Sequence, residues 1–171
     1  MNSRFLVETD VRLIEDHIRA NISESLDKVS QIAENVPKLS LPNPKQYFYT
    51  PKNTAYQLPV VYIVPTDIDF RKQDKNANFI DASVTINVSV EVEEKDTDLL
   101  AVSAWRYQAA LHAILDDVSL TNIGGEVKIV SKVIRASFSP IYTDAQKPDD
   151  ADGVFRQEVL LELQIDHFER P

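Results

Sequence analysis

Between Ile80 and Glu94 the chain alternates apolar and polar side chains for almost its whole length. Ile80, Ala82, Val84, Ile86, Val88, Val90 and Val92 fall on one face, and Asp81, Ser83, Thr85, Asn87, Ser89, Glu91 and Glu93 on the other. Successive Cβ atoms of a strand point to opposite sides of its sheet, so this period of two predicts a strand with one buried and one polar face. At roughly 3.3 Å per residue the strand would run about 50 Å, against a diameter of about 40 Å for a compact chain of this size. It must bend, bulge or project. An over-long strand with a polar face belongs to a sheet that meets a neighbouring subunit or borders a large solvent space, and attention shifts from active sites to assembly.

From Asp10 to Val36, Ile14, Ile18, Ile22, Leu26, Val29, Ala33 and Val36 recur at spacings of three and four, which predicts an amphipathic helix ended by Pro37. The stretch 37–59 carries Pro37, Pro42, Pro44, Pro51 and Pro59 among Tyr47, Phe48, Tyr49 and Tyr56, so it predicts an extended linker or arm. Its aromatics either cover the protein's own core or clasp an adjacent subunit, with Tyr47, Phe48 and Tyr49 as the candidate subunit-interface residues. Val60 to Val64 reads as a short strand forming a hairpin with the long one. Asp96 and Asp98 open a second helix, and Leu100, Ala104, Tyr107, Leu111, Ile114, Leu115 and Val118 form its buried stripe. Glu126 to Ser139 and Val154 to Phe168 read as two further strands. The expectation is one α+β domain over 1–171 in the order α-β-β-α-β-β, a four-stranded, mostly antiparallel sheet covered on one face by helices.

Two segments of fourteen residues read as long loops, Thr66 to Phe79 and Pro140 to Gly153. The first mixes both charge signs around Phe70, a composition suited to a contact surface or to a solvated loop. The second, PIYTDAQKPDDADG, resembles a calcium loop only superficially. If Gly153 is the turn glycine, the first ligand position falls on Pro148 and the bidentate glutamate position on Val159.

The net charge of −9 argues against a general nucleic-acid binder. No apolar run is long enough to span a bilayer and the start lacks a secretory signal, so the protein is expected to stay in the cytosol. The absence of cysteine excludes disulfides, thiol nucleophiles and thiolate metal sites. His17, His112 and His167 stand near no recognisable nucleophile, and Gly124, Gly125 and Gly153 cannot build a phosphate-cradling loop. No catalytic residue, metal or cofactor is expected. An enzyme or ligand-binding domain on the polar sheet face would have to use Asp81, Asn87, Glu91 and His167.

A leading amphipathic helix, a proline-bearing linker into LPVVYIVP (Leu58 to Pro65), a long strand ending in VSVEVEEKD (Val88 to Asp96), a helix carrying WRYQAALHAIL (Trp105 to Leu115) and two closing strands follow one another. This arrangement resembles the tail terminator, or tail-completion, proteins of tailed bacteriophages over nearly the whole chain. The resemblance implies a virion protein of the tail–neck junction, assembled in the host cytoplasm as a ring, generally hexameric. Such a ring caps the head-proximal end of the tail tube, halts tube polymerisation by steric mismatch, and offers a docking face to the neck or head-completion protein. In contractile particles it also meets the sheath protein. The linker and the acidic loop are longer than in the shorter members. A head-tail adaptor or stopper of the neck is the alternative within phage assembly.

On that reading the first long loop supplies the tube contact, with Asp67, Asp69, Phe70, Arg71, Lys72 and Lys75 as candidates. DNA would pass through the ring without being specifically bound. A cationic wall would hold phosphates, so Asp81, Glu91 and Glu93 on the polar strand face are the candidate lumen residues.

Overall fold

The computed structural model describes residues 5–30, 39–50, 57–74, 79–143 and 153–169. Helix α1 (Leu6–Ser30) and helix α2 (Thr97–Leu115) flank strands β1 (Gln46–Phe48), β2 (Val60–Asp74) and β3 (Phe79–Glu94). Strands β4 (Val118–Thr121), β5 (Val127–Phe138), β6 (Tyr142–Thr143) and β7 (Phe155–Glu169) follow α2. All seven strands join one sheet in the order β1-β2-β3-β7-β5-β4, with β6 paired to β7. The sheet is mixed, because β1 runs parallel to β2 while the other pairs are antiparallel. It curls into a half-barrel.

This corrects the four-stranded sheet in the order α-β-β-α-β-β. Strands β1, β4 and β6 span three, four and two residues, too few for a period of two to stand out. β1 arises in the proline-rich arm, where the sheet's edge tolerates missing amide donors. The supposed loop from Thr66 onward is instead strand as far as Asp74, paired from Asp67↔Thr85 to Asp74↔Phe79. Pro65 and register shifts at Pro65/Asp67 and Phe70/Lys72 break the alternation that would have betrayed it. In the second supposed loop, Tyr142 and Thr143 pair with β7, and 144–152 lie outside the described residues.

The core follows from cross-strand register. Val84, Ile86, Val88 and Val90 of β3 stand opposite Ile165, Leu163, Leu161 and Val159 of β7, and all eight are fully buried. α2 lies over β3, β7 and β5, and α1 packs beside it against β2. Ile14, Ile18, Ile22 and Leu26 form the buried stripe of α1, and each such side chain removed from water contributes about 1.5–3 kcal/mol. Asp96 caps α2, its carboxylate accepting from the Asp98 and Leu99 amides at 2.8 and 3.1 Å, a device of about 1 kcal/mol. The turn from β4 to β5 closes through the Gly125 amide on the Asn122 carbonyl, with Gly125 at φ 71°.

Candidate functional site

Both helices lie on one face of the sheet, so among the described residues the other face is open. It presents Tyr62 and Val64 of β2, the alternate residues of β3 from Asp81 to Glu93, and Arg156, Glu158, Leu160, Glu162, Gln164 and Asp166 of β7. A concavity of about 410 Å³ on this face is lined by Tyr62, Val64, Thr66, Asn87, Ser89, Glu91, Glu158 and Leu160. Glu91 is its hub, with 12% of its side chain exposed. It accepts from the Tyr62 hydroxyl at 3.3 Å and from the Tyr142 hydroxyl, and lies 3.9 Å from Arg156 Nη1. Arg156 Nη2 reaches Glu93 at 3.4 Å, while Ser89 Oγ donates to Glu158 at 2.6 Å. Burial, reinforced by the Glu91 charge, pushes the Tyr62 hydroxyl up to about 12 and raises that of Tyr142 as well. These tyrosines therefore remain neutral donors, and the carboxylates are engaged in bonds within the face.

The three proposed lumen residues all lie on this face. Asp81 is 3.9 Å from Arg71 Nη1, Glu91 is enclosed as above, and Glu93 keeps 40% of its side chain exposed. Of the proposed tube contacts, Asp67, Asp69, Phe70, Arg71 and Lys72 belong to β2 rather than to a loop. Phe70 is 48% exposed, Arg71 is paired with Asp166, and Lys75 lies outside the described residues. Sequence reasoning missed Arg156, Glu158 and Tyr142. The signal was present in the registers Glu91↔Glu158 and Glu93↔Arg156, which need the pairing of β3 with β7 to be known.

The arm aromatics pack on their own chain. The Arg19 guanidinium carbon sits 3.7 Å from the centroid of the Tyr47 ring, Phe48 and Tyr62 are 5.8 Å apart, and the Tyr49 hydroxyl donates to Glu15. Tyr49 nonetheless remains half exposed. Pro37, Pro51 and Tyr56 lie outside the described residues.

The set Asp81, Asn87, Glu91 and His167 is not brought together. His167 stands opposite Ala82 on the helix-covered face, fully buried against Asp10, whereas the other three project from the open face. Burial raises the Asp10 carboxyl and the His167 hydrogen bond opposes that rise. His17 bonds the Ile114 carbonyl at 3.1 Å, and His112 lies 3.9 Å from Asp116. Among the described residues no group of three or more histidines, aspartates and glutamates is arranged to hold a metal.

No family model and no curated protein matches the chain. Among solved structures, a chain from the virion of a native gene transfer agent particle aligns over 96% of this chain and 99% of its own, at 14% identity and a TM-score of 0.50. A second solved chain, 18% identical with a TM-score of 0.43, aligns over 92% of this chain and 97% of its own. What the gene transfer agent chain shares with this protein is the fold, along almost the full length of both.

Proposed function

We propose that this chain is a structural protein of a phage-like virion, and that it forms the ring closing the head-proximal end of the tail tube. The observation that carries the first part is the near end-to-end fold likeness to a chain of the gene transfer agent virion. The finer role rests on the resemblance of the segments 58–65, 88–96 and 105–115 to tail terminators. An open sheet face whose polar groups are bonded to one another suits a scaffold better than a reaction centre. The ring presents one face to the tube protein and the other to the neck or head-completion protein, and meets the sheath where the tail contracts. Termination needs no chemistry, since a surface that accepts the last tube ring and offers no equivalent opposite surface stops growth sterically. The exposed stretch of β2 with Asp67, Asp69, Phe70 and Arg71 lies where the tube and the adjoining subunit both meet the ring, and Asp81, Glu91 and Glu93 face the DNA path.

Light scattering and negative-stain imaging of the purified protein test the ring. A closed annulus, hexameric by family resemblance, is expected. A compact monomer at all concentrations, with and without tube protein, would refute it.

A further inference from the structure

Among the described residues both long edges of the sheet are left partly uncovered. β1 covers β2 only along Val60–Tyr62, and beyond it Thr66 to Arg71 carry no outer strand among the described residues. At the opposite edge β4 covers β5 only along Lys128–Ser131. The Asp116 carboxylate accepts from the Val133 amide at 3.0 Å, and past that cap the stretch 134–138 carries no outer strand among the described residues. Four of those five residues, Ile134, Arg135, Ala136 and Phe138, are exposed. An exposed strand edge is a template for another strand.

We infer that these two edges join copies of this chain head to tail, β5 of one subunit pairing with β2 of the next. The inference deepens the ring reading above and rests on it. Charge decides between this pairing and the two symmetric ones. The β5 edge carries Lys132 and Arg135, both exposed. The β2 edge carries Asp67 and Asp69, also exposed, while the neighbouring Arg71 is engaged by Asp166. A two-fold β5–β5 contact would set the cations of one copy against those of the other, and a two-fold β2–β2 contact would do the same with the carboxylates. Directly opposed like charges destabilise a strand pair and opposite charges stabilise it. The β5–β2 contact sets the exposed cations of one edge against the exposed carboxylates of the other, and it also brings exposed Ile134 and Phe138 of one copy near exposed Phe70 of the next.

Strand direction agrees. β2, β3, β7 and β5 are successively antiparallel, so β5 runs opposite to β2 within one subunit. Rotating a copy about an axis along the strands sets its β2 antiparallel to the β5 it meets, continuing the sheet without a reversal. A contact between two different patches closes into a ring where its rotation closes, and continues as a filament where it does not.

The test compares wild type with K132E/R135E, D67K/D69K and the fourfold combination, by light scattering and far-ultraviolet circular dichroism. Each double reversal is expected to lose the oligomer at concentrations where wild type is assembled, with unchanged secondary structure, and the fourfold reversal to regain it. Amide exchange of assembled against diluted wild type needs no variant and decides should any variant misfold or the fourfold reversal stay dissociated. Protection gained on assembly within 66–71 and 134–138 upholds the contact, and protection confined to other segments overturns it. Double reversals that assemble like wild type overturn the edge contact while leaving the ring standing. A wild type that never assembles overturns the ring reading and this inference together.

Discussion

Asp10 near the start of α1 and His167 near the end of β7 are 157 residues apart in sequence and joined by a 2.6 Å hydrogen bond, with both side chains almost wholly buried. The pair fixes the first turns of α1 onto the far end of the central strand. Removing one partner leaves the other buried with its polar atom unpaired, so His167→Ala should cost about 1–3 kcal/mol in urea denaturation. Replacing both residues by Leu together should cost less than the two single losses added, since no buried polar group is then stranded. A single-site loss below about 1 kcal/mol would mean that solvent or another group satisfies the survivor.

The arm is tied to α1 by Arg19 stacked on Tyr47. A double-mutant cycle with Arg19→Ala and Tyr47→Ala should return a coupling of about 0.5–1 kcal/mol. Zero coupling would leave Tyr47 held by packing alone. Replacing Tyr47, Phe48 and Tyr49 together by Ala should also shift the assembled protein toward smaller species, read by light scattering. An unchanged ring would remove these residues from the subunit interface.

Much of this fold was readable in the chain because burial imposes period. The alternation of Ile80 to Val92 marks β3, and Asp96 marks the start of α2. What escaped is where period and burial part company. The β2 stretch from Thr66 to Asp74 carries two register shifts, so its polar residues read as a loop. The cluster of Glu91, Tyr62, Tyr142 and Arg156 is assembled by register between strands far apart in sequence, which no local spacing reports. His167 was placed with Asp81 and Glu91 by residue type, although the parity of β7 sets it on the opposite face.

Tyr62 gives a pH signature. Its hydroxyl is raised to about 12 by burial beside Glu91. A proton held more tightly folded than unfolded contributes stability that is fully present below pH 10 and is lost as pH rises through about 12. Tyrosinate absorbance should show several late-titrating tyrosines, since Tyr107 and Tyr142 are raised as well, and Tyr62→Phe should have one fewer of them and a flatter stability profile over the same range. A step near pH 12 that persists unchanged in Tyr62→Phe would reassign it.

Phe70 is half exposed at the β2 edge, so Phe70→Asp should leave the melting temperature within a few degrees of wild type, a surface effect of about 0.5 kcal/mol or less. It should weaken arrest of tube polymerisation by the purified protein, with light scattering of the same sample separating a lost tube contact from a lost subunit contact. Normal arrest would place the tube contact elsewhere.

Glu93, the more exposed of the two glutamates held near Arg156, is the clean probe of the DNA path. Glu93→Lys should preserve assembly and slow DNA delivery, more at low salt, where screening is weaker. Glu91→Lys should instead destabilise the fold, because it would put a cation among Tyr62, Tyr142 and Arg156. Delivery unaffected by Glu93→Lys at every ionic strength would remove this residue from the lumen.

The central claim, that this chain ends the tail tube, is tested most directly by electron microscopy of particles assembled without it, with tail length measured particle by particle. Tubes that overrun their normal length and fail to join filled heads are the expected result. Tubes of normal length beside heads that leak their DNA would contradict it, and would assign the chain to the neck as an adaptor or stopper.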